Sequence, residues 1–118
     1  KSPRGLDARL TDDGIKQCRQ LQSVTATLRP QLVVSSPLTR TLQTATLALE
    51  PQRLAAQAPP VIALEPLRET CNYLCDARRP LSMLAAEMPS VDFSACEHDE
   101  DELWKYYEAK HGPQEAFD

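Results

Sequence analysis

From Leu32 to Ala45 the sequence reads Leu-Val-Val-Ser-Ser-Pro-Leu-Thr-Arg-Thr-Leu-Gln-Thr-Ala. An apolar run empties into a polar turn, and the helical pattern that follows carries Arg40 on its first turn. A helix start gathers unpaired N–H groups and the positive end of the helix dipole, which together favour an anion. Arginine adds a planar, permanently charged fork able to hold two oxygens at once. The chemistry implied is the handling of a phosphate group.

Other groups that carry chemistry are weaker. Cys71, Cys75, Cys96 and His98 are zinc-type ligands, but Cys96 and His98 are cramped for a second ligand pair, so no metal is expected. The acids from Glu97 to Glu102 lack the glycine that a calcium-binding loop needs for its turn and read as a solvated run opening a helix. Trp104, Tyr106 and Tyr107 suit a helix packing edge better than a stacking platform.

The totals bound the reading. With 118 residues, 42% hydrophobic and 25% charged, the chain is expected to form one α/β domain over 1–118. A net charge of −4 argues against a nucleic-acid partner. No apolar run approaches the length of a membrane span, and no secretory signal opens the chain. Four scattered cysteines read as reduced thiols, giving a cytoplasmic expectation. The first residue is Lys1, so the sequence reads as starting inside a longer product or after processing. Unpaired sheet edges flanking 32–35 and 61–64 are expected in consequence. Oligomeric state is not legible.

Several elements must position Arg40. Thr11 reads as a helix N-cap, with Asp12 and Asp13 in the first turn. Ile15, Cys18, Leu21, Val24 and Leu28 form an apolar stripe predicted to face a core, and Pro30 is predicted to end the helix. Leu32–Val34 reads as a strand covered on both faces. Pro37 is assigned to the first turn of the next helix, with Leu38, Leu42, Ala45 and Leu49 apolar and Pro51 as its stop. After a proline- and alanine-rich connection from Ala55 to Pro60, Val61–Leu64 reads as a second buried strand. Helices are predicted over 80–88 and 101–110, with an irregular tail from Pro113. Alternating helices and short apolar strands imply a parallel sheet.

These residues carry a family resemblance. Asp7-Ala8-Arg9-Leu10-Thr11 with Gly14 and Gln17, then Ser35–Arg40 with Gln43-Thr44-Ala45, then Leu67-Arg68-Glu69 resemble the histidine phosphatase superfamily, the phosphoglycerate mutase-like enzymes. Cys75–Ser82, Pro89–Ser94 and Asp99–Trp104 are similar to its plant and fungal branch. The resemblance implies a doubly wound, mainly parallel sheet flanked by helices. It also implies metal-free phosphoryl transfer through a phosphohistidine, with no cofactor. Arg40 matches a phosphate-binding arginine and Glu69 the proton donor of the phosphatases, a role that suits a carboxyl group beside the pocket. Arg78 and Arg79 are candidates for a substrate's distal charge, or else a solvated pair or local partners of Asp76.

The chain departs from the family in its histidines. It contains no Arg-His-Gly, and its two histidines are His98 and His111. The expectation is therefore a phosphatase, in preference to a mutase, acting on small phosphomonoesters, with this stretch itself inactive for want of the nucleophile. The alternative is a non-catalytic relative that binds a phosphorylated ligand.

Overall fold

The computed structural model describes residues 5–53, 59–69, 71 and 73–112. The opening residues 1–4, most of the connection before Val61 and the tail from Pro113 lie outside them.

Thr11 caps helix α1 (Asp12–Thr25), its hydroxyl accepting from Gly14 N at 3.1 Å. The helix stops at Thr25, short of Pro30, and the Thr27 and Leu28 N–H groups close its end on Val24 and Thr25. The predicted apolar stripe is mostly not core. Cys18 is buried, but Leu21, Val24 and Leu28 are exposed. Polar anchors tie α1, and the Leu10 backbone before its cap, to the neighbouring α2 (Thr39–Ala48). Leu10 N donates to Gln43 Oε1 and Gln22 Nε2 to the Leu47 carbonyl, both at 2.8 Å, and the Thr25 hydroxyl donates to the Ala48 carbonyl.

Strand β1 (Val33–Ser35) leads through buried Ser36, Pro37 and Leu38 into α2. Pro37 therefore precedes the helix and does not form its first turn. Pro51 does not stop α2 either. The helix ends at Ala48, and Pro51 lies in the next short helix, α3 (Glu50–Arg53). Strand β2 (Val61–Ala63) follows, then 3₁₀ turns at Glu65–Leu67 and Leu74–Asp76. Helix α4 (Leu81–Glu87), strand β3 (Val91–Asp92) and helix α5 (Glu102–His111) complete the order.

The three strands form a parallel sheet in the order β1-β2-β3, with Val33 opposite Val61 and Val61 opposite Val91. Alternation along the strands puts Val33, Ser35, Val61, Ala63 and Val91 on one face. There Leu42 and Ala45 of α2 join Val61, Ala63, Val91 and Cys96 in the core. On the other face Val34 is 41% exposed, so the expectation of a strand covered on both sides fails for β1. Strand β2 is paired on both edges, so the edges unpaired among the described residues are the outer ones of β1 and β3, and none lies at Val61 to Leu64. The architecture is that of a partial α/β domain of the doubly wound kind, a parallel sheet with flanking helices.

The acidic run is only partly solvated. Asp99 supplies its carbonyl to Leu81 N and its carboxylate to Ser82 N, serving the start of α4 (both 2.8 Å). Asp101 is buried and caps α5 through Trp104 N at 2.9 Å. Trp104 itself is buried and stacks on Tyr107, ring centroids 6.0 Å apart, while Tyr106 is exposed. All four cysteines are free.

Candidate phosphate-binding site

One small cavity, about 60 Å³, lies among Ser36, Leu38, Arg40, Thr41, Leu67, Glu69 and Asp76. It has room for roughly four waters, or for a small oxyanion. Its residues come from the segments that leave the C-terminal ends of β1 and β2. Open α/β sheets place their ligands at such ends.

The start of α2 is not open to an external anion in the way the sequence implied. Its first N–H, from Thr39, donates to Asp7 Oδ1 at 2.7 Å, and the Thr39 hydroxyl donates to Asp7 Oδ2 at 2.8 Å. The anion at the helix start is thus the chain's own Asp7, fully buried, with a left-handed backbone (φ +46°). Aspartate is among the few residues that enter this region readily. Beside that occupied N–H, the Arg40 side chain and the hydroxyl residues Ser36 and Thr41 line the cavity. The Thr41 hydroxyl sits 2.6 Å from Ser36 Oγ and 2.8 Å from the Leu38 carbonyl.

Arg40, the second residue of α2, is about one-third exposed and donates through Nη1 to the Cys75 carbonyl and through Nη2 to Asp76 Oδ1 at 3.1 Å. Glu69 lies at the exposed edge of the same cavity. The structure therefore brings Arg40 and Glu69 together.

It places Arg78 and Arg79 elsewhere. Arg78, 1% exposed at its side chain, donates to Glu65 Oε1 at 3.1 Å and to the carbonyls of His98, Asp99 and Glu100. Arg79 donates to the Asp7 carbonyl at 2.7 Å and to the Thr39 hydroxyl at 2.9 Å. Neither lines the cavity, and both forks are occupied by protein acceptors. Contact with a substrate's distal charge finds no support in this arrangement, and neither does pairing of the two arginines with Asp76.

Behind the cavity, buried Arg68 is held by Asp101 through two hydrogen bonds of 2.7 and 2.9 Å and donates to the Asp76 carbonyl at 2.7 Å. Burial opposes the charge on both partners. Burial is the largest single effect, but the mutual hydrogen bonds and charge attraction, joined for Asp101 by the Arg78 and Trp104 N–H groups, together outweigh it, holding the Asp101 carboxyl below and the Arg68 guanidinium above their ordinary values. Burial pushes the Cys71 and Cys75 thiols up, so neither is a ready nucleophile. Among the described residues no three His, Cys, Asp or Glu side chains are grouped to hold a metal ion. No described helix is long and apolar enough to cross a membrane.

The sequence reading missed Asp7 and Asp101 as structural partners of these arginines, and it set Asp76 beside Arg78 and Arg79 where the structure pairs it with Arg40. Asp7 and Asp76 lay within the resembling motifs, but nothing local pointed to partners 32 and 36 residues away.

A parallel sheet with flanking helices, and a small cavity at its strand ends lined by an arginine, two carboxylates and two hydroxyl side chains, puts the chain in the α/β class. Comparison with known proteins narrows that class: the profile of the histidine phosphatase superfamily (branch 1) matches residues 3–102, and the chain belongs to that family. It is similar to two Arabidopsis thaliana proteins. They are a phosphoglycerate mutase-like protein, 32% identical, and phosphoglycerate mutase-like protein 1, 37% identical. Each alignment covers 85% of this chain but only 47% and 45% of the respective relative, so the chain spans a little under half their length. No solved structure matches significantly.

Proposed function

We propose that the cavity holds the phosphoryl group of a small phosphomonoester, as part of a histidine phosphatase that works through a phosphohistidine. The observation that carries this reading is the convergence of Arg40, Glu69 and the Ser36 and Thr41 hydroxyls on one oxyanion-sized cavity at the strand ends. Phosphoryl transfer depends chiefly on positioning and charge neutralisation, which a held arginine supplies. In this reaction a histidine nitrogen attacks phosphorus and the ester P–O bond breaks. Glu69 gives the leaving alkoxide its proton, and water then cleaves the phosphohistidine.

Neither His98 nor His111 lines the cavity, and the sequence holds no other histidine. These 118 residues by themselves therefore bind without turnover. The same observation favours the second reading, a non-catalytic relative that binds a phosphorylated ligand through Arg40. Phosphatase is preferred to mutase on the context of Leu67-Arg68-Glu69 and the motifs downstream. The free thiols support a reducing, cytoplasmic setting.

Calorimetric titration with inorganic phosphate, paired with thermal melts, tests the shared claim. Binding should raise the melting temperature of the unaltered chain and leave that of Arg40→Ala unmoved. An equal rise in both, or none in either, overturns it. Assay with an aryl phosphate separates the readings once Arg-His-Gly and a second histidine are present in the polypeptide: turnover identifies the phosphatase, and binding without turnover the ligand-binding relative.

A further inference from the structure

We propose that Asp76 is a positioning residue that aims the Arg40 fork into the cavity. The inference rests on reading that cavity as a phosphoryl site.

Asp76 ends the 3₁₀ turn at Leu74–Asp76, with its side chain 10% exposed. It is fixed from two directions before it meets Arg40. Its Oδ2 accepts from Tyr73 N at 3.2 Å, and its carbonyl accepts from buried Arg68 at 2.7 Å. Its Oδ1 then accepts from Arg40 Nη2, while the neighbouring Cys75 carbonyl accepts from Nη1. Two adjacent acceptors thus hold one edge of a guanidinium that carries five N–H donors in all. The remaining three, Nε–H among them, meet no acceptor among the described residues, and Arg40 lines the cavity. An arginine already held at one edge loses little freedom when a ligand arrives, which is how preorganisation raises affinity.

Asp76 also joins the two halves of the site. Through its side chain it touches Arg40 after β1, and through its backbone it touches Arg68, the residue before Glu69. One residue therefore sets the spacing between the phosphate-holding group and the proton-donating segment.

Three variants and two readouts test this. Asp76→Asn keeps an acceptor for Arg40 and loses the charge, Asp76→Ala loses both, and Arg40→Ala removes the fork. The readouts are the Kd for inorganic phosphate at fixed ionic strength and the side-chain ¹⁵N resonances of Arg40 without ligand. In the unaltered chain and in Asp76→Asn, the two Nη resonances should be resolved, reporting hindered rotation about Nε–Cζ. In Asp76→Ala they should merge. Phosphate affinity should change by no more than about threefold in Asp76→Asn and fall about tenfold or more in Asp76→Ala, the scale of a lost charged hydrogen bond. A role confined to stability would lower the melting temperature and leave the Kd of the folded protein untouched.

Unchanged phosphate affinity in Asp76→Ala overturns this proposal alone. Failure of the unaltered chain to bind phosphate overturns the phosphoryl-site reading and this proposal with it. Should Asp76→Ala not fold, the unaltered chain still decides, because merged Arg40 Nη resonances there would mean that Asp76 does not hold the fork.

Discussion

Arg68 and Asp101 lie 33 residues apart in sequence and meet in a two-bonded pair whose side chains are 1% and 8% exposed. The pair fastens the Leu67–Glu69 segment to the start of α5, since Asp101 also accepts from Arg78 N and Trp104 N. Removing one member of such a pair strands a buried charge. Asp101→Ala is therefore expected to cost about 3–5 kcal/mol of stability. Urea denaturation followed by the fluorescence of Trp104, the single tryptophan, measures it. A loss under about 1 kcal/mol would show that solvent reaches the pair.

The same pair sets an acid dependence. The folded Asp101 carboxyl is held below its ordinary value, so its contribution is present above the unfolded pKa, about 4, and is lost as pH falls through the folded value. The stability difference between the unaltered chain and Asp101→Ala should be constant from pH 7 to about 5 and narrow below about 4. Urea midpoints at four or five pH values suffice, and a gap that widens in acid contradicts the assignment.

Asp7 is fully buried and serves Thr39 N, the Thr39 hydroxyl and Arg79 N. Asp7→Ala is expected to cost about 3 kcal/mol or more, because it leaves the α2 start and the Arg79 guanidinium without their carboxylate. Asp7→Asn, which keeps part of the acceptor set, should cost less. Thermal melts rank the two. Strain at φ +46° favours the same order, since asparagine enters this region more readily than alanine, so the reverse order would mean that the acceptor oxygens of residue 7 do not hold Thr39 and Arg79.

Arg78 and Arg40 should separate cleanly in experiment. Arg78 wraps the His98–Glu100 carbonyls, so Arg78→Ala should destabilise the chain while the folded fraction keeps its affinity for inorganic phosphate. A weakened Kd in folded Arg78→Ala would restore this arginine to the ligand site.

On α1, Val24 is 61% exposed and Leu21 49% exposed. Val24→Lys should change stability by no more than about 0.5 kcal/mol. A loss of about 2 kcal/mol, read from the same urea curves, would place Val24 in a buried contact.

Short-range signals carried the elements. Thr11 announced α1, Val33 and Val61 their strands, and the stretch after Pro80 a helix, because caps and apolar runs act within a few residues. Arg40 and Glu69 were legible as a pair only through motif resemblance, and the cavity confirms only that they are neighbours. The helix stripe misled because periodicity shows which residues share a face and not whether anything covers that face. Leu21 and Val24 share one that remains exposed. The partners of Arg40, Arg68 and Arg79 were illegible for a simpler reason. An ion pair closing 33 to 72 residues leaves no local trace in either strand of sequence.

That spacing has a kinetic consequence. The bond from Arg79 N to Asp7 closes a loop of 72 residues, whereas α1 and the turns need only neighbours a few positions away. Loop-closure entropy must be met before such a contact returns any stabilisation, so the contact should form after the rate-limiting barrier. Substitutions at Asp7 are then expected to hasten unfolding and leave the refolding rate nearly unchanged, as the two limbs of a chevron plot would display. The polar knot around the start of α2 would act as a latch that sets how long the folded chain lasts.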